Sequence, residues 1–218
     1  MSLPSAQRKI LEDLAKLGHD KWGFVIYRCT YRDNQAWDRF KDIVRRRTLE
    51  DMADSDAPEA ADRLQWTFVD DEASLDGASK DQLRARFRQW ATEAITSENP
   101  RAEHHQIFGV PRYRYFIQVD EQSLRSVLLA PALDPSGKGY VHFVDSQWKQ
   151  SSEDDDEDDG SEEDEEAYEL IEGCAEEDVG WMKIAAMMID ASFYDISSGF
   201  AYGGWHVYYK RPPATVLY

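Results

Sequence analysis

The sequence predicts an α+β fold, in which a mixed and mainly antiparallel sheet carries helices packed on one face. Segments with helical spacing of apolar residues alternate with segments rich in β-branched and aromatic residues. The strand candidates alternate apolar and polar positions, which favours an antiparallel or mixed sheet over a doubly wound parallel one. Two β-α-β units, at 22–69 and 181–209, suggest ferredoxin-like halves.

The length and charge of the chain predict its organisation. With 218 residues it can bury a sizeable core, and we predict a single domain over residues 1–218. The formal net charge is −18, but twelve of the fourteen residues at 153–166 are acidic. Without them, 31 acidic residues remain against 25 basic ones. We predict that residues 151–169 form a disordered acidic loop, because such a charge density prevents a packed core.

The strand at residues 22–31 is the expected centre of the sheet, since it is the longest run of strand-forming residues in the chain. A helix over 5–17 precedes it, because Ser5 can cap the first turn and Gly18 can end the last one. A second helix is predicted over 35–47, with its three closing arginines complementing the helix dipole.

The best-marked helix begins at Ser79, which forms a capping box with Gln82. The remaining elements follow from apolar periodicity and breaker residues. Further short helices are expected at 120–128 and 189–196, and strands at 64–69, 113–119, 140–144, 181–186 and 205–210.

Composition also bounds compartment and partners. Two cysteines are too few for a disulfide framework, and the N-terminal residues lack the apolar stretch of a secretory signal. No apolar run approaches the roughly 20 residues needed to cross a bilayer. We therefore expect a soluble, intracellular protein, cytoplasmic or else nuclear, without a membrane contact. The mildly acidic body argues against nucleic-acid binding, which needs clustered Lys and Arg.

Several phrases of the chain occur together in a recognisable way. They are WGFVIYRCTY at 22–31, LDGAS at 75–79, DVGWM at 178–182 and YYKRPP at 208–213. The set resembles a large family of uncharacterised proteins from filamentous fungi. The resemblance covers roughly residues 20–213 and implies one family-wide domain of fungal, intracellular origin. It implies no activity and no site residue.

Carboxylates at strand ends are the catalytic candidates. Asp70 and Asp71 follow one predicted strand and Asp145 follows another. If those strands end at the same edge, the three carboxylates could converge to hold Mg²⁺ or to serve as an acid–base pair. The simpler explanation is that Asp stops strands and starts turns.

Aromatic and arginine side chains on the strands are the ligand-binding candidates. They could line a pocket for a small aromatic or acidic ligand, or for a peptide, although core packing is the simpler explanation. These candidates are Arg28, Arg112, Tyr113, Arg114 and Trp205. We predict no metal site and no cofactor, because zinc-ligand spacing, a nucleophile elbow and a phosphate-binding glycine loop are all missing. Cys29 is expected to be a small buried apolar residue.

Two functions remain open from the sequence. The first is a non-enzymatic binding or protein-interaction domain whose acidic loop recruits a basic protein, with a homodimer through an aromatic sheet face as a further expectation. The alternative is a small enzyme or small-molecule-binding protein with a carboxylate and arginine pocket on the sheet. In either case the strand at 22–31 should form the floor of the site, with strand ends and loops supplying its chemistry.

Overall fold

Six strands form one sheet in the order β2-β1-β3-β4-β5-β6 in the computed structural model, which describes residues 4–105, 107–130, 138–151 and 168–217. The strands are β1 (Val25–Arg28), β2 (Thr67–Val69), β3 (Tyr115–Val119), β4 (Tyr140–Asp145), β5 (Trp181–Ala185) and β6 (Thr215–Val216). β1 is parallel to β2 and β3, and β5 is parallel to β6, whereas β4 is antiparallel to β3 and β5. The α+β class with a mixed sheet is confirmed.

Helices connect most of these strands. The α-helices of the described residues are α1 (Ala6–Leu17), α2 (Asn34–Ala53), α3 (Glu72–Leu75), α4 (Lys80–Glu98), α5 (Pro111–Arg114), α6 (Glu121–Leu129), α7 (Ala191–Ser198) and α8 (Gly204–Tyr208). Short 3₁₀ segments lie at Pro58–Arg63, Ala186–Met188 and Phe200–Tyr202. None of the described helices is long and apolar enough to cross a bilayer.

Local capping signals explain where several helices begin. The Ser5 hydroxyl accepts from the N–H of Arg8, and Gly18 ends α1 with a φ of 67°. That left-handed conformation suits glycine, which has no Cβ to clash. Ser79 opens α4 with the predicted capping box, and Asp120 caps α6. These three predicted helices are confirmed.

Helices cover both faces of the sheet, so the expectation of helices on one face was wrong. Along β1, Phe24 and Ile26 join a core with α1, α2, α6 and α7, whereas Val25 and Tyr27 join a second core with α4. Successive residues of a strand point to opposite faces. The reason for the error is that β1 is fully buried on both sides, as a central parallel strand is.

The chain reverses its winding direction at β1. It leaves β1 through α2 on one face to reach β2, then returns through α4 on the other face to reach β3 on the far side of β1. The helices that follow β1 and β3, α2 and α6, pack on the same face, whereas α4 is the long helix of the opposite face. β1 and β2 are direct neighbours, so the ferredoxin-like arrangement, in which another strand lies between them, is absent from this half.

One predicted element has the wrong type, and another has the wrong boundary. Residues 205–210 were expected to form the last strand, but 204–208 form α8, and the strand next to β5 is β6. Trp205 of α8 stacks on Tyr115 and Tyr209, so aromatic packing and not strand pairing explains this aromatic run. α2 also continues past its three arginines to Ala53.

The predicted disordered loop at 151–169 falls mainly outside the described residues. Its described ends contact the body of the protein. The N–H of Ser151 donates to a carboxylate oxygen of Glu176 at 2.8 Å, and the guanidinium of Arg211 donates to the carbonyl of Glu169 at 2.6 Å.

Candidate functional site

An open cleft of about 800 Å³ is lined by residues at and just past the ends of β1 and β3. Its floor continues across β4 and β5 on the face that carries α4. The first turn of α4 with the preceding loop forms one wall, and residues 168–172 with 211–213 form the other. A large cleft lined by several convergent polar groups is the default candidate for a ligand site.

Polar side chains stand in a row across the floor of the cleft. Gln118 of β3 pairs in register with His142 of β4, which pairs with Lys183 of β5. Cys29, just past the end of β1, extends the row toward α4. Because partners in register share a face, these side chains point together into the cleft.

Lys80 reaches the cleft from the first turn of α4. Its side chain is 4% exposed, and Nζ lies 2.5 Å from Oε1 of Glu172 and 3.8 Å from the ring centroid of Trp181. Burial lowers the pKa of Lys80, although Glu172 and Asp120 act in the opposite direction. The ammonium group is therefore held where its charge is only partly compensated.

His142 is neutral in this setting. Burial, then the positive charge of Lys80, lowers its pKa to about 3, with Lys183 acting in the same direction against Asp120. The amide Nε2 of Gln118 donates to the carbonyl of Ala78 at 3.0 Å, which leaves Oε1 facing Nδ1 of His142 at 3.3 Å. Nδ1 thus carries the imidazole proton, and Nε2 is the acceptor nitrogen.

Cys29 and Asp120 complete the ionisable groups of the inner cleft. Burial raises the pKa of the Cys29 thiol to about 12, so the sulfur is protonated and a poor nucleophile. Burial disfavours the charge of Asp120, yet His142 and the hydrogen bonds from Ser123 lower the pKa of this carboxyl. Asp120 is therefore a carboxylate, 4.0 Å from Nδ1 of His142.

The outer wall is fastened by Arg211. Its Nη2 donates to the carbonyl of Glu169 and, at 3.4 Å, to that of Cys174, which forms a bridge with Ile171. Two buried donors of this region, Trp181 Nε1 and Arg211 Nη1, have no hydrogen-bond partner among the described residues. Unmatched buried donors are rare in proteins and mark places where a ligand or water can bind.

The predicted catalytic carboxylates do not converge. Asp70 pairs with Arg28 at 3.1 Å, and Asp71 pairs with Arg86 at 3.1 Å. Asp145 pairs in register with Tyr115, the first residue of β3. It therefore lies at the opposite end of the strands from Asp70 and Asp71. The reason is that β4 runs antiparallel to β3, so its carboxyl end lies far from that of β2.

The predicted ligand-binding residues are occupied by structural contacts. The guanidinium of Arg28 donates to the carbonyl of Thr30 and to Asn34 as well as to Asp70. Arg114 pairs with Asp145 at 2.8 Å. The indole N–H of Trp205 donates to Asp178 at 2.7 Å, and none of these residues lines the cleft.

Arg112 and Tyr113 belong to a buried network at the opposite edge of β3. Arg112 makes two hydrogen bonds to the Glu98 carboxylate, at 2.7 and 2.8 Å. The hydroxyl of Tyr113 donates to Glu98 at 3.0 Å and accepts from the amide of Asn99. This network joins α4 to β3 and leaves no free donor directed at a ligand.

The sequence contained a signal for the cleft that its analysis missed. Gln118, His142 and Lys183 are each flanked by buried apolar residues in the middle of a strand. A polar residue at an inward position of a buried strand indicates a candidate site, whereas an exposed polar residue does not. Their convergence depends on strand register, which the sequence does not display.

No metal centre is formed by the part of the chain that the structure describes, where no group of three or more His, Cys, Asp or Glu could hold an ion. A second cavity, of about 300 Å³, lies between α1 and α7 and is bordered by His19 and Asp13. It is smaller than the cleft and lacks the row of strand polar side chains, so the cleft is the stronger candidate.

The fold and the cleft together define an α+β domain with an open polar cleft on one face of its sheet. Comparisons of the chain with protein-family models, with curated proteins and with solved structures found no match in any of the three.

Proposed function

We propose that this domain is a small-molecule-binding protein whose ligand lies in the cleft, and that it binds the ligand without catalysing a reaction. The observation that carries the proposal is the pair of lysine amines in the cleft, Lys80 and Lys183. Burial lowers the pKa of both groups, which means that their charges lack full compensation in the protein alone. A bound ligand with suitable acceptors would supply that compensation.

The titration of the other groups favours binding over catalysis. A general base works best when its pKa lies near the working pH, whereas that of His142 is lowered to about 3. A thiol nucleophile needs a lowered pKa, whereas burial raises that of Cys29. His142 and Cys29 therefore offer hydrogen-bonding groups to a ligand, but neither a general base near the working pH nor an activated thiol.

The test is a thermal-shift screen of metabolites against the full chain, because a ligand of the native state raises Tm. We expect at least one polar metabolite to raise Tm, and Lys80→Met to weaken its binding at least tenfold by calorimetry. Lys149→Met, which removes an exposed lysine, is the matched control and should bind as the wild type does. Hits that bind Lys80→Met and the wild type equally would place the ligand outside the cleft and refute the proposal.

The acidic run at 153–166 supports a second candidate, a protein-interaction function. Twelve carboxylates in fourteen residues would attract a basic partner such as a histone tail, chiefly by raising the encounter rate. This role agrees with the intracellular, cytoplasmic or nuclear location that the sequence predicts and with the fungal origin that the resemblance implies. Salt-sensitive binding of a lysine-rich peptide, lost when residues 152–167 are deleted, would support it, and binding unaffected by the deletion would not.

A further inference from the structure

We propose that Glu172 occupies the place of the ligand's own anionic group, so that the cleft binds a small oxyanion, a carboxylate or a phosphate, by displacing Glu172 from Lys80. This inference rests on the proposed function, since it specifies the ligand chemistry of the same cleft. Glu172 would then be an internal competitor that sets the affinity of the site.

The two partners of this ion pair differ sharply in exposure. The Lys80 side chain is 4% exposed, whereas that of Glu172 is 53% exposed. Lys80 is anchored in α4 and packs on the ring of Trp181. The carboxylate can therefore leave into water, where its solvation improves, while the ammonium group stays in the cleft and needs another anion.

The backbone of Glu172 points to the same conclusion. Its φ of 54° makes it the sole non-glycine residue with a positive φ among the residues that the structure describes. It is followed by Gly173, with a φ of 88°, in the turn bridged by Ile171 and Cys174. Turns of this kind favour Gly, Asn or Asp at such positions. The conformation of the turn does not require a glutamate at position 172, whereas the ion pair with Lys80 requires a carboxylate there.

The surroundings of Lys80 match an oxyanion. The buried Nε1 of Trp181 and Nη1 of Arg211 have no hydrogen-bond partner among the described residues, and both side chains line the cleft. The ammonium groups of Lys80 and Lys183 both line the cleft and act against protonation of the buried His142, although Asp120 acts in the opposite direction. The N-terminus of the 19-residue helix α4 adjoins the same space and adds a dipole that favours anions.

The experiment compares oxyanion binding by the wild type and by Glu172→Gln with isothermal calorimetry, using inorganic phosphate and succinate as probes. Glutamine keeps the size and a hydrogen-bonding group but removes the competing charge. We expect at least one probe to bind Glu172→Gln at least tenfold more tightly than the wild type. Glu177→Gln, which removes an exposed carboxylate from the same segment, is the control and should change affinity less than twofold. The probe that gains affinity identifies the ligand group as carboxylate or phosphate.

A second variant guards against a folding artefact. Glu172→Gly also removes the carboxylate, but it places the residue type that this φ prefers, so it should fold and show the same gain. Unchanged or weaker oxyanion binding in both variants would refute the role of Glu172. The proposed function would still stand in that case if a metabolite binds the wild type and loses its affinity in Lys80→Met. Oxyanion binding that is equally tight in the wild type and in Lys80→Met would refute both the role of Glu172 and the proposed function of the cleft.

Discussion

Arg112 and Lys80 are both buried cations beside the central strands, yet their surroundings are opposite. Arg112 is fully buried and donates to both oxygens of Glu98, to the carbonyls of Gly23 and Gln65, and to the Thr67 hydroxyl. Burial opposes its charge, but Glu98 raises the pKa of Arg112 above its ordinary value. For Lys80 burial prevails, and its pKa is lowered despite Glu172.

The difference separates a structural cation from one available for binding. A planar guanidinium with all its donors matched holds α4, β1 and β2 in one arrangement and has nothing left for a ligand. A buried ammonium with one half-exposed partner contributes little to the fold and retains affinity for an anion. Both residues are buried cations, so burial alone does not distinguish them. The number of their hydrogen-bond partners and the exposure of those partners do distinguish them.

The largest effect is expected from Arg112→Met. This change removes both arginine hydrogen bonds to the carboxylate of Glu98, 14% exposed, and leaves two buried carbonyls without the guanidinium donor. Breaking a buried ion pair from one side typically costs about 3–5 kcal/mol. We expect a loss of that size in the free energy of unfolding, measured by urea denaturation.

The control for this variant is Arg101→Met. Arg101 also pairs with a carboxylate, that of Asp20 at 2.9 Å, but its side chain is 79% exposed. Exposed pairs contribute little, so we expect a change below about 0.5 kcal/mol. Similar losses in the two arginine variants would contradict the structural role assigned to Arg112.

A smaller effect, dependent on pH, is expected from His142→Asn. The lowered pKa of His142 means that below about pH 6.5 the unfolded chain takes up a proton that the folded protein does not. Stability contributed by this group is therefore present at pH 7.5 and is lost as the pH falls. Between pH 7.5 and 5 the wild type should lose about 2 kcal/mol more than His142→Asn, in which the asparagine amide can still donate to Gln118.

The measurement is urea denaturation of both proteins at the two pH values. His104→Asn removes an exposed imidazole and should follow the wild type. If His142→Asn lost as much stability as the wild type on acidification, the lowered pKa assigned to the buried His142 would be wrong.

The elements that the sequence predicted well are those with local causes. The helices that begin after Ser5, Ser79 and Asp120 each use a side-chain cap that can be read within four residues. The prediction of a strand at 205–210 was wrong because aromatic residues are common both in strands and in segments that pack against a sheet. Trp205 packs on Tyr115, a contact that spans 90 positions of the chain.

The candidate site was predictable only in part, for a similar reason. The strand at 22–31 does supply part of the floor, through Cys29. The expected meeting of Asp70 with Asp145 required β2 and β4 to run in the same direction, and the pairing of β4 with β3 is antiparallel. Arg112 could be recognised as a notable residue, but whether its donors are matched depends on Glu98 and Gln65, which lie on other elements.

Among the buried residues, the smallest change in stability is expected from Lys80→Met, and it tests the comparison most directly. Methionine keeps an unbranched side chain on the ring of Trp181 and removes a charge that burial disfavours. Replacing a buried cation by an apolar side chain of similar length is often neutral or stabilising, so the free energy of unfolding should change by less than about 1 kcal/mol. A loss in the free energy of unfolding as large as that of Arg112→Met would show that Lys80 is a second structural cation. A near-neutral result together with lost ligand binding would show that the fold keeps Lys80 for the ligand.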